Sequence, residues 1–183
     1  MITHKQLFEK FPKIFGEKDK SPMETCMCWG ICCDEGWNNI LFALCTNIQH
    51  HIESAREQNI RDRWYNRALK RAIKNNDTAY LEDRARFFWD EKKEAFLKDP
   101  SQFYREVSPK VPQVIAKQVK EKFGTLRFYY QGGDDAISGM VRMAETMSAL
   151  TCEKCGKPSR VMNDHGWYSS VCKDCRNDAA GPV

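Results

Sequence analysis

No run of apolar residues in the chain approaches the eighteen or so that a membrane-spanning helix needs, and the mean hydropathy is −0.66. A soluble protein is predicted. Met1 to Phe15 alternates single apolar residues with Lys and Glu and lacks the apolar stretch of a secretory signal, so no export is expected. Internal repeats at a solenoid period and low-complexity segments are also missing, which excludes repeat arrays. There is no GxSxG, no GxxxxGK[ST], no HExxH and no GxGxxG after a strand, so the commonest nucleophile, phosphate-loop, metalloprotease and dinucleotide chemistries are excluded. Nine cysteines in 183 residues fall short of a disulfide scaffold. In a reducing cytosol they are expected as thiols or metal ligands.

The length supports one domain with a real core and a small appendage. The first 33 residues hold short apolar anchors (Leu7, Phe8, Phe11, Ile14, Phe15), two prolines and a cysteine cluster, so few regular elements are expected there. From Gly36, Trp37, Ile40, Leu41, Leu44, Ile48 and Ile52 recur at helical spacing, with Asp34 or Asn38 as cap. Residues 60–75 read as a second helix. Asp77 to Leu97, with Leu81, Ala85, Phe88 and Ala95 inward, reads as a third that Asp99-Pro100 ends.

Beyond the two prolines of Ser108 to Pro112 the pattern changes. Val114–Lys120 and Thr125–Tyr130 flank a turn with Gly124 and predict a β-hairpin. A last helix follows, capped by Asp134 or Asp135, with Ile137, Met140, Val141, Ala144 and Met147 as a core stripe. The fold class is therefore α+β. A mainly helical body over 1–150 carries a hairpin at about 113–130 (a small antiparallel sheet) and a helix over 134–150. A C-terminal zinc ribbon over 151–183 completes it.

The ribbon rests on Cys152-Glu-Lys-Cys155-Gly156 and Cys172-Lys-Asp-Cys175, with sixteen residues between Cys155 and Cys172. Each CxxC offers two thiolates from one tight turn, and the pair matches the four-cysteine spacing of structural Zn²⁺ sites. Four thiolates fill the coordination sphere and leave no place for a water nucleophile, so the metal is expected to be structural. A module this short needs it to fold. Asn163 to Gly166 is expected as the loop of a small hairpin leading to the second pair. A second metal at Cys26, Cys28, Cys32 and Cys33, with Cys45, His50 and His51 beyond, is not expected; Trp29 and Trp37 beside these thiols favour packing. His51-Ile-Glu53 with Cys152-x-x-Cys155 echoes a zinc-deaminase constellation, but Thr151 replaces its proline and the second CxxC completes the ligand set.

The net charge of +4 conceals an asymmetry, since residues 59–110 hold thirteen basic and nine acidic side chains. On a helix over 60–75, Arg63, Arg67, Lys70, Arg71 and Lys74 fall within an arc of roughly 100°. Such a face can bind phosphate. It can equally be a solvated face or pair with the acids of the third helix (Glu82, Asp83, Asp90, Glu91, Glu94). Lys117, Lys120, Lys122 and Arg127, near Phe123, Phe128, Tyr129 and Tyr130, form a second basic group on the hairpin; such aromatics either stack bases or pack the sheet. Asp134 and Asp135 can hold a divalent ion, though a turn and helix cap explain them as well. With Glu121 they are the carboxylates a nuclease reading would use.

Three stretches carry a resemblance: Cys26-Met-Cys-Trp-Gly-Ile through Asp34-Glu-Gly-Trp37, Val119-Lys-Glu-Lys-Phe-Gly-Thr-Leu-Arg-Phe-Tyr-Tyr130, and Ser148-Ala-Leu-Thr-Cys-Glu-Lys-Cys-Gly156. Together they resemble a family of small, uncharacterised proteins of tailed bacteriophages and prophages, in which such a hairpin precedes a helix and a four-cysteine zinc ribbon. The resemblance implies a non-catalytic protein acting in the cytoplasm of an infected bacterium. Its partner would be a host protein or a nucleotide signal, bound to counter host defence or redirect host machinery. A nucleic-acid-binding ribbon that modulates transcription is the alternative, and a metal-dependent nuclease the less favoured one.

Overall fold

The computed structural model describes residues 2–180; Met1 and the last three residues of the predicted ribbon lie outside the described residues. The chain divides into two compact units. One comprises residues up to Ile52 and from Val111 onward, the other Glu53–Lys110. The C-terminal cysteine segment belongs to the first unit.

In the first unit, Thr3 opens α1 (His4–Lys10) through a capping box with Gln6. The following segment is irregular, as its composition predicts, with Phe11, Ile14, Phe15 and Met27 buried along it. Two 3₁₀ turns, Cys26–Trp29 and Glu35–Trp37, flank the two-residue strand β1 (Ile31–Cys32). Trp37 is fully buried, but Trp29 is 64% exposed. The tight turn directs Met27 inward in place of Trp29, which corrects the expectation that both indoles pack.

Helix α2 runs without interruption over Asn38–Asn75, where the sequence pattern predicts two helices. The intervening Glu53 to Asn59 has no apolar stripe, yet it contains neither Pro nor Gly. Extending a helix through seven tolerant residues costs less than nucleating a new one. Within the first unit α2 buries Ile40, Leu41, Leu44, Ile48 and Ile52.

Strands β2 (Ile115–Lys122) and β3 (Thr125–Gln131) form the predicted hairpin. Its two-residue turn places Phe123 (φ 54°) and Gly124 (φ 74°) in the left-handed region, the geometry that matches strand twist. β1 pairs parallel with β2, Ile31 with Val119 and Cys32 with Lys120, so the three-stranded sheet is mixed. Two residues are too few to show a strand period in sequence. Val119, Leu126 and Phe128 face the core. Lys120, Lys122, Arg127 and Tyr129 alternate with them and occupy the opposite face. A bulge at Lys117 breaks the register.

Helix α5 (Asp135–Ser148) is capped by Asp134, which accepts the Ile137 N–H at 3.1 Å. Ile137, Val141 and Ala144 are buried, but Met140 packs only at the margin and Met147 is 48% exposed. The apolar stripe therefore fades toward the C-terminus. There Ser148 is the buried residue, its hydroxyl accepting the Leu126 N–H at 2.8 Å and tying α5 to the hairpin. Strands β4 (Met162–Asp164) and β5 (Trp167–Ser169) make the small ribbon hairpin, closed by His165-Gly166, and α6 (Lys173–Ala180) follows.

The second unit contains the later part of α2, α3 (Thr78–Ala85), α4 (Asp90–Lys98) and a 3₁₀ turn at Pro100–Phe103. The helix expected over 77–97 is two helices. Asp77 caps the first by accepting the Tyr80 N–H at 3.0 Å. The chain then turns through Arg86 to Trp89 so that Phe88 meets Phe96 and Phe103, with ring centroids 5.0 and 5.3 Å away. Phe96, not Ala95, is the buried residue of α4. With Tyr65, Leu69 and Ala85 these rings form a small core of their own.

Candidate metal centre and binding faces

The first CxxC is a tight turn. Cys152 N–H donates to the Lys157 carbonyl at 2.8 Å and Gly156 N–H to the Cys152 carbonyl at 2.9 Å, with Gly156 at φ 74°. The second lies where β5 gives way to α6, and its Cys172 N–H donates to the Cys152 sulfur at 3.2 Å. The Cys155 and Cys172 sulfurs are 3.6 Å apart. All four sulfurs of Cys152, Cys155, Cys172 and Cys175 lie within 4.8 Å of one another. The cluster could hold one metal ion, and a donor set of four thiols suits a soft, tetrahedral cation. Burial raises the Cys152 thiol, but backbone N–H groups of Cys172 and Cys155 outweigh it and bring the group to about 7. Hydrogen bonding to the Cys155 and Cys172 sulfurs pushes Cys175 up to about 12.

The knuckle is seated on the body by residues far away in sequence. Asp34 N–H donates to Glu153 Oε1 at 3.1 Å and the Trp37 indole to the Thr151 carbonyl at 2.9 Å. A Cβ on Gly36 would lie 2.3 Å from the Glu153 carbonyl oxygen. This seat is absent from the sequence reading, because two short non-periodic segments leave no local signal of meeting. Gly36 and Gly156, one in each, are its only sequence trace.

Among the described residues the N-terminal cysteines form no comparable cluster. Burial pushes the Cys33 and Cys45 thiols up and keeps them neutral. His51 Nε2 lies 2.8 Å from Asp134 Oδ2, a bond that holds Asp134 below the usual carboxylate range. His51 and Asp134 are thus partnered with each other, and Asp134 caps α5. Glu121 accepts the Gly124 N–H in the hairpin turn. These bonds occupy two of the three carboxylates of the nuclease reading with structural work.

Arg63, Arg67, Lys70, Arg71 and Lys74 are all exposed on α2. None of them makes an ion pair with the acids of α3 and α4 among the described residues. Arg86 takes Asp83 at 3.0 Å instead. The local acid, Asp62, is buried and committed elsewhere, accepting from Gln58 at 2.9 Å and Arg105 at 3.0 Å. Trp64, 69% exposed, borders the basic face. The ladder is therefore solvated and not self-neutralised.

On the hairpin the four aromatics separate. Phe128 is core, Tyr130 is partly buried with its hydroxyl 3.0 Å from Ser138 Oγ, and Phe123 and Tyr129 are exposed. Lys117 is taken by Glu17 at 2.7 Å, while Lys120, Lys122 and Arg127 share the open sheet face. Trp167 and Tyr168 were not singled out from sequence. The signal was a bulky pair in a module too small to bury it.

The fold and cluster define an α+β protein with a four-cysteine cluster that could hold a metal ion. No protein-family model, no curated protein and no solved structure matches the chain. No described helix is long and apolar enough to cross a membrane.

Proposed function

We propose that the chain is a non-catalytic phage protein whose four cysteines hold one structural Zn²⁺ and whose α2 ladder binds a host protein or a nucleotide signal. It acts in the cytoplasm of the infected bacterium, countering host defence or redirecting host machinery. The metal reading is supported by four converging sulfurs with no oxygen or nitrogen donor, the set that Zn²⁺ fills completely. The observation that carries the binding reading is the solvated row Arg63, Arg67, Lys70, Arg71 and Lys74. Five like charges on one face repel one another, and an anionic partner relieves that cost.

The experiment is capture from nuclease-treated bacterial lysate with the intact chain and with an Arg63→Ala/Arg67→Ala/Lys70→Ala variant. These side chains are exposed, so the variant is expected to fold normally. A partner retained by the intact chain and lost by the variant supports the reading. A partner held equally by both places the binding elsewhere. Material captured only without nuclease favours the nucleic-acid alternative.

A further inference from the structure

In the first unit the tip of the β2–β3 hairpin packs against the open end of the ribbon hairpin, where Val161 precedes β4 and Ser169 ends β5. The meeting is close at Gly124, where a Cβ would lie 2.9 Å from Val161 Cγ1 and 3.1 Å from the Ser169 nitrogen. That approach through a glycine seats one hairpin on the other. Phe123 beside it is 64% exposed, its ring edge-on to Tyr168 with centroids 6.1 Å apart. Trp167 is 76% exposed. Between the rings runs a groove of about 370 Å³ lined by Glu121, Lys122, Phe123, Gly166, Trp167 and Tyr168.

Phe123 is costly twice over. A large apolar ring stands in water, and its backbone sits at φ 54°, where Asn or Gly closes a two-residue hairpin without strain. An outlier of this kind points from strain to use. The charges on the open sheet face, Lys120, Lys122 and Arg127, have one sign. Lys122 Nζ lies 5.4 Å from the Phe123 centroid and Lys120 Nζ 5.7 Å from that of Tyr129. Lys120 stands directly opposite Arg127 in the register, a like-charge pair that disfavours the sheet unless an anion is shared. Glu121, which also lines the groove, accepts the Gly124 N–H in the turn, and the exposed Asp164 lies 3.8 Å from His165.

From this juxtaposition we infer that the two packed hairpins bind single-stranded nucleic acid. Unpaired bases stack on Phe123 and Trp167 while phosphates run along Lys122, Lys120 and Arg127. Rings in open water gain most from bases that have no partner of their own, and cations set beside them suit the linking phosphates. The surface does not use the α2 ladder, so it stands or falls separately from the binding reading above.

The test is fluorescence anisotropy of a labelled fifteen-nucleotide oligothymidylate with the full zinc-loaded chain, against a duplex of equal length and a polyglutamate peptide. Phe123→Asn and Trp167→Ala are each expected to weaken oligothymidylate binding by roughly five- to 150-fold, the range for losing one stacked base. Melting temperature should be unchanged for Trp167→Ala and unchanged or raised for Phe123→Asn, because Asn tolerates positive φ. The α2 triple variant should retain binding. The inference is overturned if the oligonucleotide does not bind, or if duplex or polyglutamate binds as well. It is also overturned if Phe123→Asn lowers the melting temperature, which would make Phe123 a structural clamp, or if only the α2 variant loses binding.

Discussion

The indole N–H of Trp37 donates to the carbonyl of Thr151 at 2.9 Å, linking the last residue of a 3₁₀ turn to the residue before the first metal-site cysteine. Trp37 is fully buried, so the bond anchors the knuckle to the core of the first unit. The Asp34 to Trp37 stretch and the Thr151 to Gly156 stretch are thus two halves of one seat, with Gly36 between them. Leu126 N–H to Ser148 Oγ adds the hairpin to the same assembly.

Gly36→Ala should therefore damage the metal site without touching a ligand. Its Cβ would lie 2.3 Å from the Glu153 oxygen and 2.4 Å from the Cys152 oxygen, both backbone atoms that no rotamer change can move. Overpacking of this kind costs about 1–3 kcal/mol. Thermal unfolding should register that loss, and a chromogenic chelator should strip metal faster than from the parent chain. An unchanged melting temperature with unchanged release would show that the seat is loose.

The purified chain should contain one zinc by mass spectrometry. Cys155→Ser should reduce this to near zero, because three thiolates and a hydroxyl bind the ion far more weakly than four thiolates. Chelation should unfold the ribbon and expose Trp37 to quencher, since the knuckle covers it. Iron or no metal at full occupancy of folded protein would reject the zinc assignment.

Glu17 provides a pH dependence of known sign. Lys117 donates to its carboxylate at 2.7 Å and Lys20 at 3.1 Å. Those hydrogen bonds, Lys117 first, lower the group from 4.5 to about 2. The folded value lies below the unfolded one, so the stabilisation is complete above about 4.5 and disappears as pH falls toward 2. Urea titrations should show stability falling across that window, and Glu17→Gln should flatten the fall while lowering stability at pH 7. A parallel pH profile for the two proteins would remove Glu17 from the account.

The four cysteines, the hairpin and the α5 cap were legible because each has a local signature: fixed spacing, a glycine turn between β-rich runs, and an aspartate before a periodic stripe. What was not legible depends on distant partners. The break between α3 and α4 is made by Phe88 turning onto Phe96 and Phe103, although Phe87-Phe88-Trp89 reads as continuing helix. The continuity of α2 was hidden by a polar stretch that has no stripe but also no breaker. Of the candidate residues, the exposure of the α2 cations followed from their arc. The joining of Phe123 to Trp167 and Tyr168 could not be seen, because it depends on the close approach of Gly124 to Ser169 and Val161.

Phe96 tests how the ladder is held. It is fully buried between Phe88 and Phe103, with centroids at 5.0 and 5.2 Å. The core it completes contains Tyr65 and Leu69, the inward side of the α2 segment whose outward side carries Arg63, Arg67 and Lys70. Phe96→Ala should cost about 3–5 kcal/mol, a large share of what so small a core can supply. The second unit should then melt ahead of the first, giving two transitions where the parent protein gives one. Partner capture by the ladder should weaken between them although every cation remains, because cations on a frayed helix no longer share a face. One cooperative transition with undiminished capture would mean that the ladder does not depend on this core.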